Sequence, residues 1–240
     1  MTGRIDVHAH LIPGVDDGCK TIEQSIECAR ALVSAGYTHA FCTPHVWPNY
    51  PDIKRDNVAH WTTQLQQELY YGQVPLTLLP GGELNLHPAV MTNTADYIVP
   101  YALANKYILC DIWCDSLPTF FEPAIRWLQN QHLTVILAHP ERCKAVQDHP
   151  ALADYFAGLG ILLQGNLQCL SDPPTAATRQ VAERYLKEGR YFVLGSDTHN
   201  PQSMPQRLIG LQNAIEMIGE AAVNQLTMDH PRKLLPSDQF

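Results

Sequence analysis

The chain has no long apolar run, no basic leader, no paired cysteines and little positive charge, and each absence removes a class. No stretch of about 18 apolar residues occurs, so no membrane-spanning helix is expected. The opening residues, MTGRIDVHAHLIPG, show no basic segment followed by a hydrophobic one, so no signal peptide is expected. Lys and Arg total 16 against 24 Asp and Glu, and the formal net charge of -8 is a poor balance for a nucleic-acid binder. The seven cysteines are scattered, odd in number and never in Cys-x-x-Cys, which reads as reduced thiols of a cytoplasmic protein. None has arginine six positions later, as a cysteine-dependent phosphatase loop needs. Gly-x-Ser-x-Gly and Gly-x-x-x-x-Gly-Lys are absent too.

What is present points to a folded α/β domain. Hydrophobic residues make up 45% of the 240, enough for a sizeable core, and charged residues 17%. There is no repeat and no Gly/Ser linker, so residues 1–240 are read as one domain. Prolines sit at element ends, as at Pro44, Pro80, Pro140 and Pro201. Apolar or β-rich runs predict seven strands, at 4–8, 39–43, 76–80, 107–112, 134–138, 160–164 and 191–195. Helical periodicity predicts helices at 21–35, 52–71, 120–131, 150–157 and 175–188, with another around Leu208, Leu211, Ile215 and Ile218. Thr21 and Gln24 have capping-box spacing, and Gly36 is a stop. Alternating strands and helices imply a mostly parallel sheet, either doubly wound or closed into a barrel.

The polar motifs separate those two layouts. Asp6-x-His8-x-His10 and Asp16-Asp17-Gly18 come with the first strand, and Thr43-Pro44-His45 with the second. Gly81-Gly82-Glu83 follows the third, and Cys110-Asp111 ends the fourth. His139-Pro140-Glu141-Arg142, Gln164-Gly165-Asn166 and Ser196-Asp197-Thr198-His199 come with the last three. Every strand delivers ligand-type residues at the same end, and a barrel gathers such ends at one mouth. His8 and His10, two apart on an extended segment, point to one face. Imidazole with carboxylate suits Mn²⁺, Fe²⁺ or Zn²⁺. A lone buried histidine is more often a core residue, so His39, His60, His132, His230, His87 and His149 are read as structural.

The series DVHAHLIPGVDDG, TPH, GGE, HPER and GSDTH resembles the polymerase-and-histidinol-phosphatase (PHP) superfamily. More narrowly, it is similar to the bacterial tyrosine-protein phosphatases of capsule and exopolysaccharide operons. The likeness runs from Arg4 to about Leu235 and includes a closing stretch at 229–234. It implies a distorted (β/α)7 barrel with a metal site at the C-terminal ends of the strands. It implies three divalent ions, Mn²⁺ first and Fe²⁺ or Zn²⁺ as alternatives. By motif, His8, His10 and Asp197 would bind the first. Glu83 would bridge to a second, completed by Asp111 and His139. Asp17, His45 and His199 would hold the third. Arg142 would help bind phosphate, and Asp197 or His199 would assist proton transfer. A hydroxide held between metals is the expected nucleophile, with no covalent phosphoenzyme. The expected substrate is a phosphotyrosyl protein, in particular a tyrosine kinase of polysaccharide export, with no nucleic acid and no membrane insertion.

Relatives usually carry glutamate where this chain has Asp111, one methylene shorter. That puts the second metal in question, with Asp115 as a possible substitute. Trp47 and Tyr50, in the loop 46–51, are candidates either to flank a phosphoaryl ring or simply to pack the loop. The rival readings are a small-molecule phosphomonoesterase of the histidinol-phosphatase type, an amidohydrolase and a degenerate regulatory barrel.

Overall fold

In the computed structural model, residues 3–92, 95–104 and 106–236 are described. Parallel strands alternate with helices. The strands are β1 (Arg4–Ala9), β2 (Tyr37–Cys42), β3 (His45–Val46), β4 (Thr77–Pro80), β5 (Glu83–Asn85), β6 (Tyr107–Asp111), β7 (Thr134–Ala138), β8 (Leu162–Asn166) and β9 (Val193–Gly195). The principal helices are α1 (Ile22–Ser34), α2 (Arg55–Tyr71), α3 (Phe121–Asn130), α4 (Lys144–Asp148), α5 (Leu152–Gly158), α6 (Ala177–Lys187) and α7 (Met204–Ile218). No described helix is long and apolar enough to cross a membrane.

Hydrogen bonding divides the strands into two parallel sheets, β1-β2-β4 and β3-β5-β6-β7-β8-β9. The division reflects two interruptions in single passes of chain. Thr43 and Pro44 separate β2 from β3, and Gly81 and Gly82 separate β4, which ends on Pro80, from β5. Proline has no N–H to give the ladder, so pairing stops and resumes a few residues later. This is why sequence patterning predicts seven strands where nine segments form. The order closes at the seam between β1 and the end of β9. There Ala9 pairs with Thr198, Asp197 N donates to His8 O (2.7 Å) and His10 N donates to Thr198 O (2.9 Å). The result is a distorted seven-stranded (β/α) barrel, as expected.

Other boundaries shift by small amounts. β8 begins at Leu162 rather than 160, and α2 at Arg55 rather than 52. The N-terminus of α1 is capped as its sequence predicts, with Thr21 accepting from Gln24 N (3.4 Å). The Gln24 side chain reaches back to Lys20 N (2.8 Å), so a donor just ahead of the cap is also satisfied.

Two apolar clusters hold this frame. The smaller takes Ile5 and Val7 from β1, Phe41, Leu79, Leu109, Ile136 and Val193 from other strands, and Leu234 and Leu235. Drawn from nearly every strand, it is the barrel interior. The larger lies between strands and helices. β1 gains one residue against β2 between Asp6 and Ala9. Such a bulge re-aims the side chains that follow it. Below it Ile5 and Val7 fill the interior, and above it His8 and His10 face the mouth.

Candidate metal centre

Ligand-type atoms converge at the mouth in three groups, each within 4.8 Å: His8, His10 and Asp197; His8, Glu83 and His139; and His10, Asp17, His45 and His199. His8 and His10 each belong to two groups, so these form one connected cluster. At its centre stand His8 Nε2, His10 Nε2, Asp197 Oδ1 and Glu83 Oε2. The measured separations among them are 3.1 Å (His8–His10), 3.4 Å (each histidine to Asp197), 3.5 Å (His8–Glu83) and 3.6 Å (His10–Glu83). Four donors ~2.0–2.2 Å from one ion, tetrahedrally placed, lie ~3.3–3.6 Å apart. His8, His10 and Asp197, 3.1–3.4 Å apart, therefore fit one divalent ion, with Glu83 in the adjoining group beside His8 and His139. Glu83 belongs to the group with His8 and His139, with Oε1 2.9 Å from His139 Nε2, while its Oε2 faces both His8 and His10.

Several donors lack protein partners. His45 Nδ1 and Glu83 Oε2 lie 2.6 Å apart without hydrogen-bond geometry. Both oxygens of buried Asp111 lack a hydrogen-bond partner. Buried polar atoms are costly unless something satisfies them, and a bound cation would do so here. Asp111 is nevertheless in none of the three groups, its Oδ1 being 3.8 Å from His139 Nδ1. Asp115 is exposed and also outside them. So are the six histidines read as structural; His39 pairs with Thr38 Oγ1 (2.9 Å), and His230 donates to Phe192 O (2.7 Å).

Residues 4–236 match the family described as capsular polysaccharide synthesis, CpsB/CapC. The chain belongs to the CpsB/CapC family. It is 29% identical over 200 residues to the tyrosine-protein phosphatase YwqE of Bacillus subtilis, covering 82% of this chain and 77% of that one. It is 24% identical over 248 residues to the tyrosine-protein phosphatase CpsB of Streptococcus pneumoniae, covering 96% and 98%. A crystal structure from the pair YwqE of B. subtilis and CpsB of S. pneumoniae, metal-dependent tyrosine phosphatases, superposes with TM-score 0.85. Identity there is 26%, covering 96% of this chain and 94% of that one.

In this CpsB/CapC chain a second layer aims the donors, and the motifs alone assign it no role. His8 Nδ1 donates to Gln164 Oε1 (2.9 Å), and the Gln164 amide is fixed by donating to Gly165 O (2.7 Å). His10 Nδ1 donates to Asp16 Oδ2 (2.8 Å). Each bond commits one ring nitrogen and leaves Nε2 facing the cluster. Of the adjacent Asp16 and Asp17, then, only Asp17 enters a donor group. Asp16 also accepts from His45 N and Gly18 N, folding the loop over His10. A methyl at Gly18 would collide with His10, so only glycine allows that approach. Asp6 accepts from Ser196 N (2.9 Å) and Ser196 Oγ (2.5 Å), fixing the residue before Asp197. Glu141 accepts from Asn166 N (2.7 Å) and Tyr191 OH (2.9 Å), so the acid in His-Pro-Glu-Arg braces the barrel.

Asp197 and His139 adopt left-handed φ values of 51° and 31°. Such backbone is unfavourable for non-glycine residues and persists where surroundings fix it. Buried Arg207 does so at Asp197, donating to the carbonyls of Ser196 (3.2 Å) and Asp197 (3.0 Å). The Asp197 side chain is also fully used. Oδ1 faces His8 and His10, while Oδ2 accepts from Arg142 Nη1 and Asn166 Nδ2, both at 2.8 Å.

Without cations, protons take up the charge. Burial opposes ionisation of Glu83 and Asp197, but surrounding imidazoles outweigh it and hold both well below the carboxylate range. Burial likewise opposes charge on His45, but contacts to Asp17 and Glu83 raise its pKa to about 9. At His139, contacts to Glu83 and Asp111 outweigh burial in the same way, again to about 9. Unfolded histidine titrates near 6.5. Stability from these two protons is therefore full below pH ~6.5 and lost as pH rises through about 9. Chelated protein should need less urea to unfold at pH 9 than at pH 6.5. Metal uptake, which needs neutral imidazoles, should release protons and tighten over that range. Equal urea midpoints at the two pH values would show that these histidines are already neutral.

Proposed function

We propose that the chain is a metal-dependent phosphomonoesterase that hydrolyses phosphotyrosine in proteins, its substrate being a tyrosine kinase of polysaccharide export. The observation that carries this reading is the connected donor cluster at the barrel mouth, in a family with tyrosine phosphatases among its members.

In this reading three divalent ions, Mn²⁺ first and Fe²⁺ or Zn²⁺ next, supply Lewis-acid polarisation of the phosphoryl group and a nucleophile at neutral pH. His8, His10 and Asp197 would hold the first and His139 and Asp111 the second, with Glu83 available to both; Asp17, His45 and His199 would hold the third. His199 Nδ1 donates to Asp197 O (3.0 Å), leaving Nε2 toward Asp17 (3.4 Å), which makes it a ligand. In this reading His199 or Asp197 would assist proton transfer, but neither is an obligatory general acid. The departing phenolate is the base of a phenol with pKa ≈ 10. Arg142 positions the phosphate. Its guanidinium is anchored by Asp197, lies over Trp113 (4.7 Å) and is one-third exposed, so further N–H groups remain for phosphoryl oxygens.

The test is hydrolysis of a phosphotyrosyl peptide, histidinol phosphate and an aryl phosphate, with Mn²⁺ and with chelator. Metal-dependent turnover favouring the peptide supports the reading. Turnover confined to histidinol phosphate, or surviving chelation, overturns it.

Asp111 gives a sharper expectation. With both oxygens unpartnered and outside every donor group, it falls short of the cluster. Asp111→Glu should tighten retention of one metal by about 10-fold, and Asp111→Asn should weaken it. Metal content after gel filtration, measured by mass spectrometry, reads both. Loss of metal from Asp111→Glu would remove Asp111 from the ligand set.

A further inference from the structure

Next to the donor cluster lies a cleft of ≈ 410 Å³, lined by Trp47, Pro48, Asn49, Asn85 and Trp113. Its two indoles come from different strand ends. Trp47 follows β3, and its ring centroid is 4.2 Å from that of His45. Trp113 follows β6, with its centroid 6.2 Å from that of His139. Arg142 lies over Trp113, which orients that indole beside the guanidinium. The cleft is thus bordered by two imidazole donors and by Arg142, whose guanidinium is held on the Asp197 carboxylate. Trp113 remains 52% exposed, so its indole is open to a ring entering the cleft. Tyr50, which the sequence pairs with Trp47, is not among the lining residues; its ring stacks near His45 instead (6.3 Å, 11°).

We propose that Trp47 and Trp113 determine specificity by receiving the aryl ring of the substrate in this cleft, with its phosphoryl group directed to Arg142 and the donor cluster. The proposal rests on the phosphatase reading above. Two indole walls favour a flat ring over a flexible alkyl chain, because offset and edge-on aromatic contacts add to apolar burial. The position explains selectivity that the donor cluster cannot supply, since the cluster meets the same phosphoryl group in every monoester.

The experiment compares kcat/KM for phenyl phosphate and glycerol 2-phosphate in the metal-loaded full chain. The variants are Trp47→Ala, Trp113→Ala, the double variant and Trp113→Phe. Binding of phenylphosphonate and methylphosphonate is titrated alongside. The aryl-over-alkyl ratio should fall about 10-fold in each alanine variant and recover in Trp113→Phe. Phenylphosphonate should lose its advantage over methylphosphonate in parallel. If Trp47→Ala fails to fold, Trp113→Ala still decides, because that side chain is exposed. An unchanged ratio in folded variants would overturn the proposal and leave the phosphatase reading standing. If the parent chain hydrolyses neither ester, the phosphatase reading fails. The phosphonate titration then decides, with no preference for phenyl overturning the aryl cleft and a preference lost in Trp113→Ala supporting it.

Discussion

Asp197→Ala should lower aryl phosphate hydrolysis by about 10³-fold or more and release metal, while far-UV circular dichroism stays unchanged. The size of the effect follows from how much meets at one carboxylate. Oδ1 sits 3.4 Å from both His8 Nε2 and His10 Nε2, and Oδ2 anchors Arg142 and Asn166. Alanine removes a ligand of the first site and frees the phosphate-binding guanidinium together. Asp197→Asn separates the two roles. Its amide keeps the shape and a neutral acceptor for Arg142 but loses the negative charge, so metal should leave while arginine-dependent binding of a phosphonate persists. Near-full activity in Asp197→Ala would sink the assignment. The fold should survive, because the carbonyls of Ser196 and Asp197 remain held by Arg207.

Stripping metal should lower the melting temperature by about 10 °C, restored by Mn²⁺. A ligand at 1,000 times its dissociation constant stabilises by ~4 kcal/mol, and each kcal/mol moves Tm by ~2–4 °C at this size. The direction follows from the buried carboxylates Glu83, Asp111 and Asp197, which share one mouth and repel once cations leave. Protonated His45 and His139 offset part of this near neutrality, so the loss should grow toward pH 9. Differential scanning fluorimetry with chelator and add-back measures it. An unchanged Tm would mean that the donors satisfy one another without an ion.

Much of this was legible before any coordinates. His8-x-His10, Glu83, His139 and the Asp197/His199 pair stand at strand ends, and period-two alternation with short apolar runs locates those ends. What stayed hidden depends on contacts between distant segments. Nothing local distinguishes Asp16 from Asp17. The difference appears only when Gly18 lets the loop close on His10 and Asp16 takes its Nδ1 proton. Gln164 reads as a polar strand end until β8 lies beside β7 and its amide meets His8, 156 positions away. Trp113 looks like a loop residue beside Asp111. Its role emerges where β6 and β3 bring it to the same cleft as Trp47. The short strands β3 and β5 were obscured because Thr43-Pro44 and Gly81-Gly82 cut each pass of chain into pieces too brief for periodicity to register.

The seam between β1 and β9 bears on how the chain is made. Its two sides, His8/His10 and Asp197/His199, are separated by nearly the whole sequence, and few contacts are as slow to form as such distant ones. During synthesis, at ~5–20 residues per second, the first histidines emerge tens of seconds at the slow end before their acidic partner. Until then the nascent barrel is an open sheet with β1 as an unpaired edge, and no complete donor group containing Asp197 exists. The ribosome therefore makes all of the chain from β1 to β9 before that group can assemble, and metal capture would be the later event that clasps these two distant strands together.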